Sequence, residues 1–338
     1  MSLVPLLHRV SERSDLSRED AFAAMNAILR GEATPAQIAA FLVAMRMKGE
    51  TVEELVGFAS AMRGMARRVH AGLNGEPLLD TCGTGGDGGG TFNISTVVAF
   101  VVAAAGVRVA KHGNRSLSSH CGSADVLEGL GVRILMEPEE AARAIREIGI
   151  GFMFAPNIHT AMRHAQPVRA ELKMRTVFNL LGPLTNPAGA NAQLVGAPSA
   201  RSAELMAGAL AGLGLVHGFV VHGSDGLDEI TTTGPTLAFE VVRGAVERRE
   251  LQPEDFGVPR ASASDLHGGD LETNCTIARK ILAGERGPRR DIVLVNAAAA
   301  LVAAGKAANF QEGVQIAAEA IDSGAAEAKV AALAALFK

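Results

Sequence analysis

The 338-residue chain carries 32 Lys and Arg against 36 Asp and Glu, a formal net charge of −4, and 48% of its residues are hydrophobic. That composition supports a sizeable core and excludes a surface built for bulk nucleic-acid or membrane binding, so any basic site must be a local pocket. Three cysteines (Cys82, Cys121 and Cys275) lie far apart without a CxxC pair, which argues against a zinc site or a disulfide framework.

The chain begins "MSLVPLLHRVSERSD", without the apolar core of a signal peptide, and its longest apolar run, Val97 to Val107, is too short to span a bilayer. A cytoplasmic location is the expectation. The first seventy residues read as consecutive amphipathic helices. In "TPAQIAAFLVAMRMKGE", Thr34 is an N-cap, Pro35 takes the first helical position and Gln37 completes a capping box. Ile38, Phe41, Leu42 and Met45 then share one face, and Gly49 closes the helix. "TVEELVGFASAMRGMARR" repeats the logic with Thr51, Glu54 and a stripe of Leu55, Phe58 and Met62.

After Gly75 the rhythm changes. Short apolar runs ("PLLD", "VRVA", "VRILM", "IGFMFA", "QLVGA", "HGFVVHG") alternate with helical stretches such as "NISTVVAFVVAAAG", "SADVLEGLG" and "PEEAARAIREIG". Strands spaced by helices predict an α/β domain with a mostly parallel central sheet flanked by helices. "MRHAQPVRAELKMRTVFNLLGPLTNPAG" looks helical and breaks at Pro183 and Pro187, as a segment that leaves the sheet and returns. The C-terminal third reads as Ala-rich helix. The expected organisation is a small helical domain over 1–72, joined by about 166–190, and a catalytic domain over 76–165 and 191–338.

"DTCGTGGDGGGTFNIST" packs six glycines into the eight positions from Gly83 to Gly90, between a buried strand and a helix. A flexible surface loop is the bland reading. The flanking elements favour phosphate binding, because glycines let backbone amides approach phosphate oxygens at a helix N-terminus. Gly83, Gly85 and Gly88 spell G-x-G-x-x-G, yet the next strand ends in "KHGNR" where a dinucleotide site wants an acid for the ribose. Lys111 there attracts more phosphate instead. No Lys-Ser or Lys-Thr follows the glycines, so a Walker loop is excluded. The serine-rich "KHGNRSLSSHCGSADVLEGLG" is a second candidate anion cradle, with Ser123 also expected to cap its helix. Asp228 and Glu229, in "VVHGSDGLDEITTTGP", form an acidic doublet suited to Mg²⁺ beside substrate phosphates.

Five blocks, "DTCGTGGDGGGTFNIST", "KHGNRSLSSHCGSADVLEGLG", "FAPNIHTAMRHAQPVRAELKMRT", "FNLLGPLTNP" and "VVHGSDGLDEIT", resemble in order the signature segments of anthranilate phosphoribosyltransferases, densely over residues 79–233. The resemblance implies transfer of phosphoribose from phosphoribosyl pyrophosphate (PRPP) to anthranilate, in tryptophan biosynthesis. It also implies a homodimer through the helical domain and a fold shared with pyrimidine nucleoside phosphorylases. By the same resemblance, the PRPP site comprises Gly83, Gly86, Asp87 and Thr91, then Asn93, Ile94, Ser95 and Thr96. It continues through Lys111, His112, Gly113, Asn114 and Arg115, and through Ser116, Leu117, Ser118, Ser119 and Ser123. Gly83, Asn114 and Arg169 match the anthranilate contacts, and a guanidinium suits a planar carboxylate. Two Mg²⁺ ions per monomer are implied, Ser95 on one, Asp228 and Glu229 on the other, with Glu229 shared. Lys111, Arg169, Asp228 and Glu229 would carry the catalysis; His112 and His159 would line the site. Two positions depart from the pattern: Lys173 stands where many members have glycine, and Cys275 follows Asn274 where alanine is common. The alternatives are a pyrimidine nucleoside phosphorylase, which needs neither the acidic doublet nor Arg169, and a non-catalytic nucleic-acid-binding relative, which needs a basic surface.

Overall fold

The structure, a computed structural model, describes residues 2–73, 75–85, 90–115 and 121–337. Four helices begin the chain: α1 (Val4–Ser11), α2 (Arg18–Leu29), α3 (Pro35–Lys48) and α4 (Val52–Met65). Both expected capping boxes are present, Thr34 with Gln37 and Thr51 with Glu54, and Gly49 ends α3 at φ 87°. Ile38, Phe41, Leu42 and Met45, like Leu55, Phe58 and Met62, are buried. Glu54 does more than cap. Fully buried, it also accepts from Leu16 N at 2.8 Å and pairs with Lys48 at 2.9 Å, tying the helix start to the α1–α2 link.

The sheet contains β1 (Leu78–Asp80), β2 (Arg108–Gly113), β3 (Ile150–Phe154), β4 (Ala192–Gly196), β5 (His217–Gly223), β6 (Thr236–Val242) and β7 (Ala245–Leu251), in the order β3-β2-β1-β4-β5-β6-β7. β1 to β5 run parallel, and β6 and β7 add an antiparallel edge. The chain builds outward from β1 to β3, then returns to place β4 on the other side of β1. That reversal puts a crevice beyond the carboxyl ends of β1 and β4, where open α/β sheets bind ligands.

The crossovers are α5 (Ile94–Ala104) after β1 and the pair α6 (Ser123–Gly129) and α7 (Pro138–Glu147) after β2. Between β3 and β4 come α8 (Ala155–Ile158), α9 (Gln166–Leu172) and α10 (Phe178–Leu181); α11 (Ala200–Gly212) leads to β5. The chain ends in α12 (Leu271–Leu282), α13 (Pro288–Ala303), α14 (Phe310–Asp322) and α15 (Ala325–Ala335). Nine of the eleven residues of α5 are buried, because it lies under the sheet and against α13, α14 and α15; a helix apolar all round belongs inside.

Two expectations are corrected. "VRILM" forms no strand: Val132, Ile134 and Met136 are buried, but the segment has no sheet partner among the described residues. The C-terminal third is not helix throughout, since the β6–β7 hairpin occupies its start, turning on Arg243 (φ 46°) and Gly244 (φ 90°). Positive φ at both central residues is the turn whose twist matches antiparallel strands.

Two large apolar clusters among the described residues hold the fold, beside a small one of Cys121, Val126 and Cys275. One joins α5, α7 and α12 to α15 to one face of the sheet. The other joins α1 to α4 with Val168, Val177, Phe178, Leu181 and Leu184, and with α11 and Val195, Val220 and Val241 from the opposite face. The named residues of the β3–β4 segment thus share one apolar cluster with α1 to α4. All three cysteines are free thiols. No helix among the described residues is long and apolar enough to cross a membrane.

Candidate active site

The glycine loop leaves β1 and runs directly over the end of β4. Thr84 N donates to Gly196 O at 2.9 Å, and Gly85 N donates to Asp228 Oδ2 at 2.8 Å. Approach this close requires glycine at Gly196, where a Cβ would lie 1.6 Å from Asp228 O, while one on Gly83 would crowd Asp228 Oδ2 at 3.1 Å. The acidic doublet thus sits against the glycine loop, 143 residues away in sequence. A buried amide holds it there. Asn296 of α13 accepts from Ile230 N and donates to Ile230 O, both at 2.9 Å, fixing the backbone beside Glu229. Arg175, unremarked in the sequence, donates to Gly85 O at 3.0 Å. Gly86 and Asp87 lie outside the described residues.

Lys111, at the end of β2, is only 2% exposed. Its Nζ donates to Thr81 Oγ1 at 3.1 Å and to Thr81 O at 3.4 Å, and lies 3.5 Å from Ser95 Oγ on α5. Burial pushes the lysine below its ordinary pKa, while Asp80 and Glu229 oppose that by attraction. Asp80 is its buried counter-charge, raised by burial to about 6 despite Lys111 and two kinds of hydrogen bond. Its carboxylate accepts from Asn186 Nδ2 at 2.7 Å and from His112 N at 3.1 Å. Asp80, Cys82 and His112 could geometrically approach one metal ion, but both Asp80 oxygens already accept hydrogen bonds and burial raises the Cys82 thiol's pKa, which make it a poor cation site.

Around α5, Thr91 bridges His267, and Asn93 donates to Cys121 O at 3.1 Å. Ile94 and Thr96 are buried, and their N–H groups turn back onto Phe92 O and Asn93 O. From β2, Gly113 meets Ser123 and Phe152 so closely that a Cβ would lie 2.4 Å from Ser123 Oγ. Ser123 is not the expected cap. Gly122 is the N-cap residue of α6, and the Ser123 hydroxyl donates to Asn114 O at 3.2 Å instead. Exposed Arg115 turns to Asp125 and Glu128 of α6. Ser116, Leu117, Ser118 and Ser119 lie outside the described residues.

The segment between β3 and β4 forms the facing wall. His112 Nδ1 lies 3.2 Å from Gly182 O, and its ring meets His159 edge-on at 5.1 Å. Burial holds His112 down at about 3, helped by His159, and holds His159 at about 4. Both are neutral at pH 7, and among the described residues neither buried Nε2 has a hydrogen-bond partner. Arg169 on α9 lies over the Phe178 ring, its Cζ 5.1 Å from the centroid, and burial lowers its pKa. Lys173 ends α9 in the left-handed region at φ 47°, a physical reason for glycine there.

Gly83, Ser95, Lys111, Asp228 and the glycine loop thus converge beyond β1, β2, β4 and β5, with His112 at the border with Gly182. Arg169, on α9, meets Phe178 and Gln166. Asp80, Arg175, Asn186 and Asn296 were not anticipated; only the strand-ending Asp80 and the Asn186-Pro187 pair were visible as signals.

The chain matches the glycosyl transferase family in two parts, its helical bundle domain over residues 4–66 and its a/b domain over residues 75–327. It is 70% identical over 334 residues to the anthranilate phosphoribosyltransferase of Solibacter usitatus (strain Ellin6076), covering 99% of this chain and 98% of that one. It superimposes on the crystal structure of anthranilate phosphoribosyltransferase from Thermus thermophilus with a TM-score of 0.92 and 46% identity, over 98% of each chain. The Saccharomyces cerevisiae enzyme in complex with PRPP and Mg gives a TM-score of 0.88 at 27% identity, over 97% of this chain and 96% of that one.

Proposed function

As the chain belongs to the glycosyl transferase family and, within it, to the anthranilate phosphoribosyltransferases, we infer that the crevice beyond β1 and β4 is its active site. The chain transfers the phosphoribosyl group of PRPP to the amine of anthranilate and releases pyrophosphate, a step of tryptophan biosynthesis. One observation carries the placement: the Asp228 carboxylate accepts from Gly85 N at 2.8 Å, joining the glycine loop to the acidic doublet.

As pyrophosphate leaves the ribose, positive charge develops on the sugar ring and negative charge on the departing group. Lys111, buried and fixed by Thr81, stabilises that negative charge from a preset position. Ser95, Asp228 and Glu229 offer only oxygen donors, the set Mg²⁺ prefers, so we assign them as its ligands, two ions per monomer. When bound, Mg²⁺ neutralises the leaving diphosphate. Gly83, Asn114 and Arg169 are assigned to anthranilate, with Arg169 on its carboxylate. An aromatic amine is neutral at pH 7 and needs no strong base, which agrees with two neutral histidines beside the site. Orientation against the ribose carbon then supplies the remaining advantage.

The division into 1–72 with 166–190 and 76–165 with 191–338 is supported by the shared apolar cluster of the bundle and the returning segment. A homodimer through the bundle is supported by Phe22 and Met47, 42% and 68% exposed on α2 and α3. Three free thiols accord with a cytoplasmic setting. The test is loss of anthranilate fluorescence with PRPP, with and without Mg²⁺. Turnover should require the metal and vanish in Asp228→Asn/Glu229→Gln; full activity in the double variant would refute the metal assignment.

A further inference from the structure

Asn93 stands at the N-cap position of α5, yet its side chain makes no capping bond. Asn is among the best residues for that bond, so its diversion calls for a cause. The cause is a relay of two amides. Gly269 N donates to Asn274 Oδ1 at 2.9 Å, Asn274 Nδ2 donates to Asn93 Oδ1 at 3.3 Å, and Asn93 Nδ2 donates to Cys121 O at 3.1 Å. The relay has one direction only. A backbone N–H can only donate and a backbone carbonyl can only accept, so Gly269 at one end and Cys121 at the other fix both amide orientations.

Asn274 is 4% exposed on α12, a helix that supplies none of the anticipated site residues. The strand-like contact beside it is equally tight: Gly268 N donates to Gly90 O at 2.8 Å, and a Cβ on Gly268 would lie 2.6 Å from both Asn274 Oδ1 and Phe92 N. The relay therefore ties the exit of the glycine loop, the start of α5 and the backbone at Cys121 to one buried side chain.

We propose that Asn274 is a positioning residue for PRPP: through Asn93 it sets the spacing between the two phosphate-binding segments. The proposal rests on the placement of PRPP against Asn93 and the glycine loop. The experiment compares Asn274→Asp, Asn274→Ser, Asn93→Ala and the Asn274→Asp/Asn93→Ala pair by steady-state kinetics in both substrates. In Asn274→Asp the carboxylate still accepts from Gly269 N, but the donor to Asn93 is gone and the relay loses its direction. The KM for PRPP should rise about tenfold, equivalent to ~1.4 kcal/mol, while the KM for anthranilate stays unchanged. Adding Asn274→Asp to Asn93→Ala should change nothing further. Equal rises in both KM values, a lowered melting temperature with normal kinetics, or additive effects in the double variant would overturn the relay. If Asn93→Ala alone leaves the KM for PRPP unchanged, the PRPP placement itself fails and the proposal with it.

Discussion

Asn296→Ala isolates what keeps the acidic doublet in place. Asn296 is fully buried, and its amide serves both the N–H and the C=O of Ile230, itself 1% exposed. Alanine leaves those two backbone groups unpaired in a dry interior, at about 1–3 kcal/mol each, or about 2–6 kcal/mol together. That is a large part of the roughly 5–15 kcal/mol that holds a typical domain folded. Because Ile230 follows Glu229 directly, the loss should also loosen the doublet. Urea unfolding followed by circular dichroism should show a lower midpoint. Titration of activity with Mg²⁺ should show half-activation at a higher metal concentration. Asn296→Asp is the sharper companion: it can still accept from Ile230 N, but it turns a carboxylate onto Ile230 O and Ile292 O, which now receive the amide at 2.9 Å each. It should be destabilised at least as much. A lowered midpoint with an unchanged Mg²⁺ requirement would refute the idea that this amide holds the doublet for the metal.

Lys173→Gly should raise the urea midpoint by the equivalent of about 1 kcal/mol, since φ 47° strains any residue with a Cβ; an unchanged or lower midpoint would count against it. Arg169→Lys should raise the KM for anthranilate and leave that for PRPP alone, because an ammonium cannot pair two parallel hydrogen bonds with a carboxylate; equal effects on both would remove Arg169 from that role. His159, held at about 4 against an ordinary 6.5, binds fewer protons folded than unfolded between those values. Its contribution is present above about pH 6.5 and lost as pH falls to about 4, on the order of 3 kcal/mol in all. His159→Gln should flatten the acid limb of a stability–pH curve over that window, and parallel curves would show that the ring titrates normally in the folded chain.

What could be read from the chain was local. The capping boxes at Thr34 and Thr51, β5 at "HGFVVHG" and the strand–glycine–helix order after Leu78 are all set by neighbours within a few residues. "VRILM" misled because alternation reports burial, and Val132, Ile134 and Met136 are buried without a hydrogen-bonded neighbour strand. The β6–β7 hairpin was missed for the opposite reason: β7, "AVERREL", is an exposed edge strand with only Leu251 buried, and its turn uses Arg-Gly where Asn-Gly would have signalled. The partners of the positioning amides were illegible because they lie far away in sequence. Asn274 reaches Asn93 across 181 residues, Asn186 reaches Asp80 across 106, and Ile230 meets Asn296 across 66. A single asparagine in a helix carries no mark of what it will meet.

The packing of Val168, Phe178, Leu181 and Leu184 against α1 to α4 bears on how far the N-terminal bundle can be separated from the rest of the chain. Val168, Phe178, Leu181 and Leu184 roof the bundle core, while Arg63 grips Leu184 O at 2.7 Å, Gln193 grips Pro183 O at 2.9 Å, and Asn186 reaches Asp80. An N-terminal fragment cut after α4 would lose that roof and open its apolar interior to water. Grafting the bundle onto another catalytic lobe therefore demands two splice sites, not one, and the second exchange carries with it the polar contacts beside Lys111.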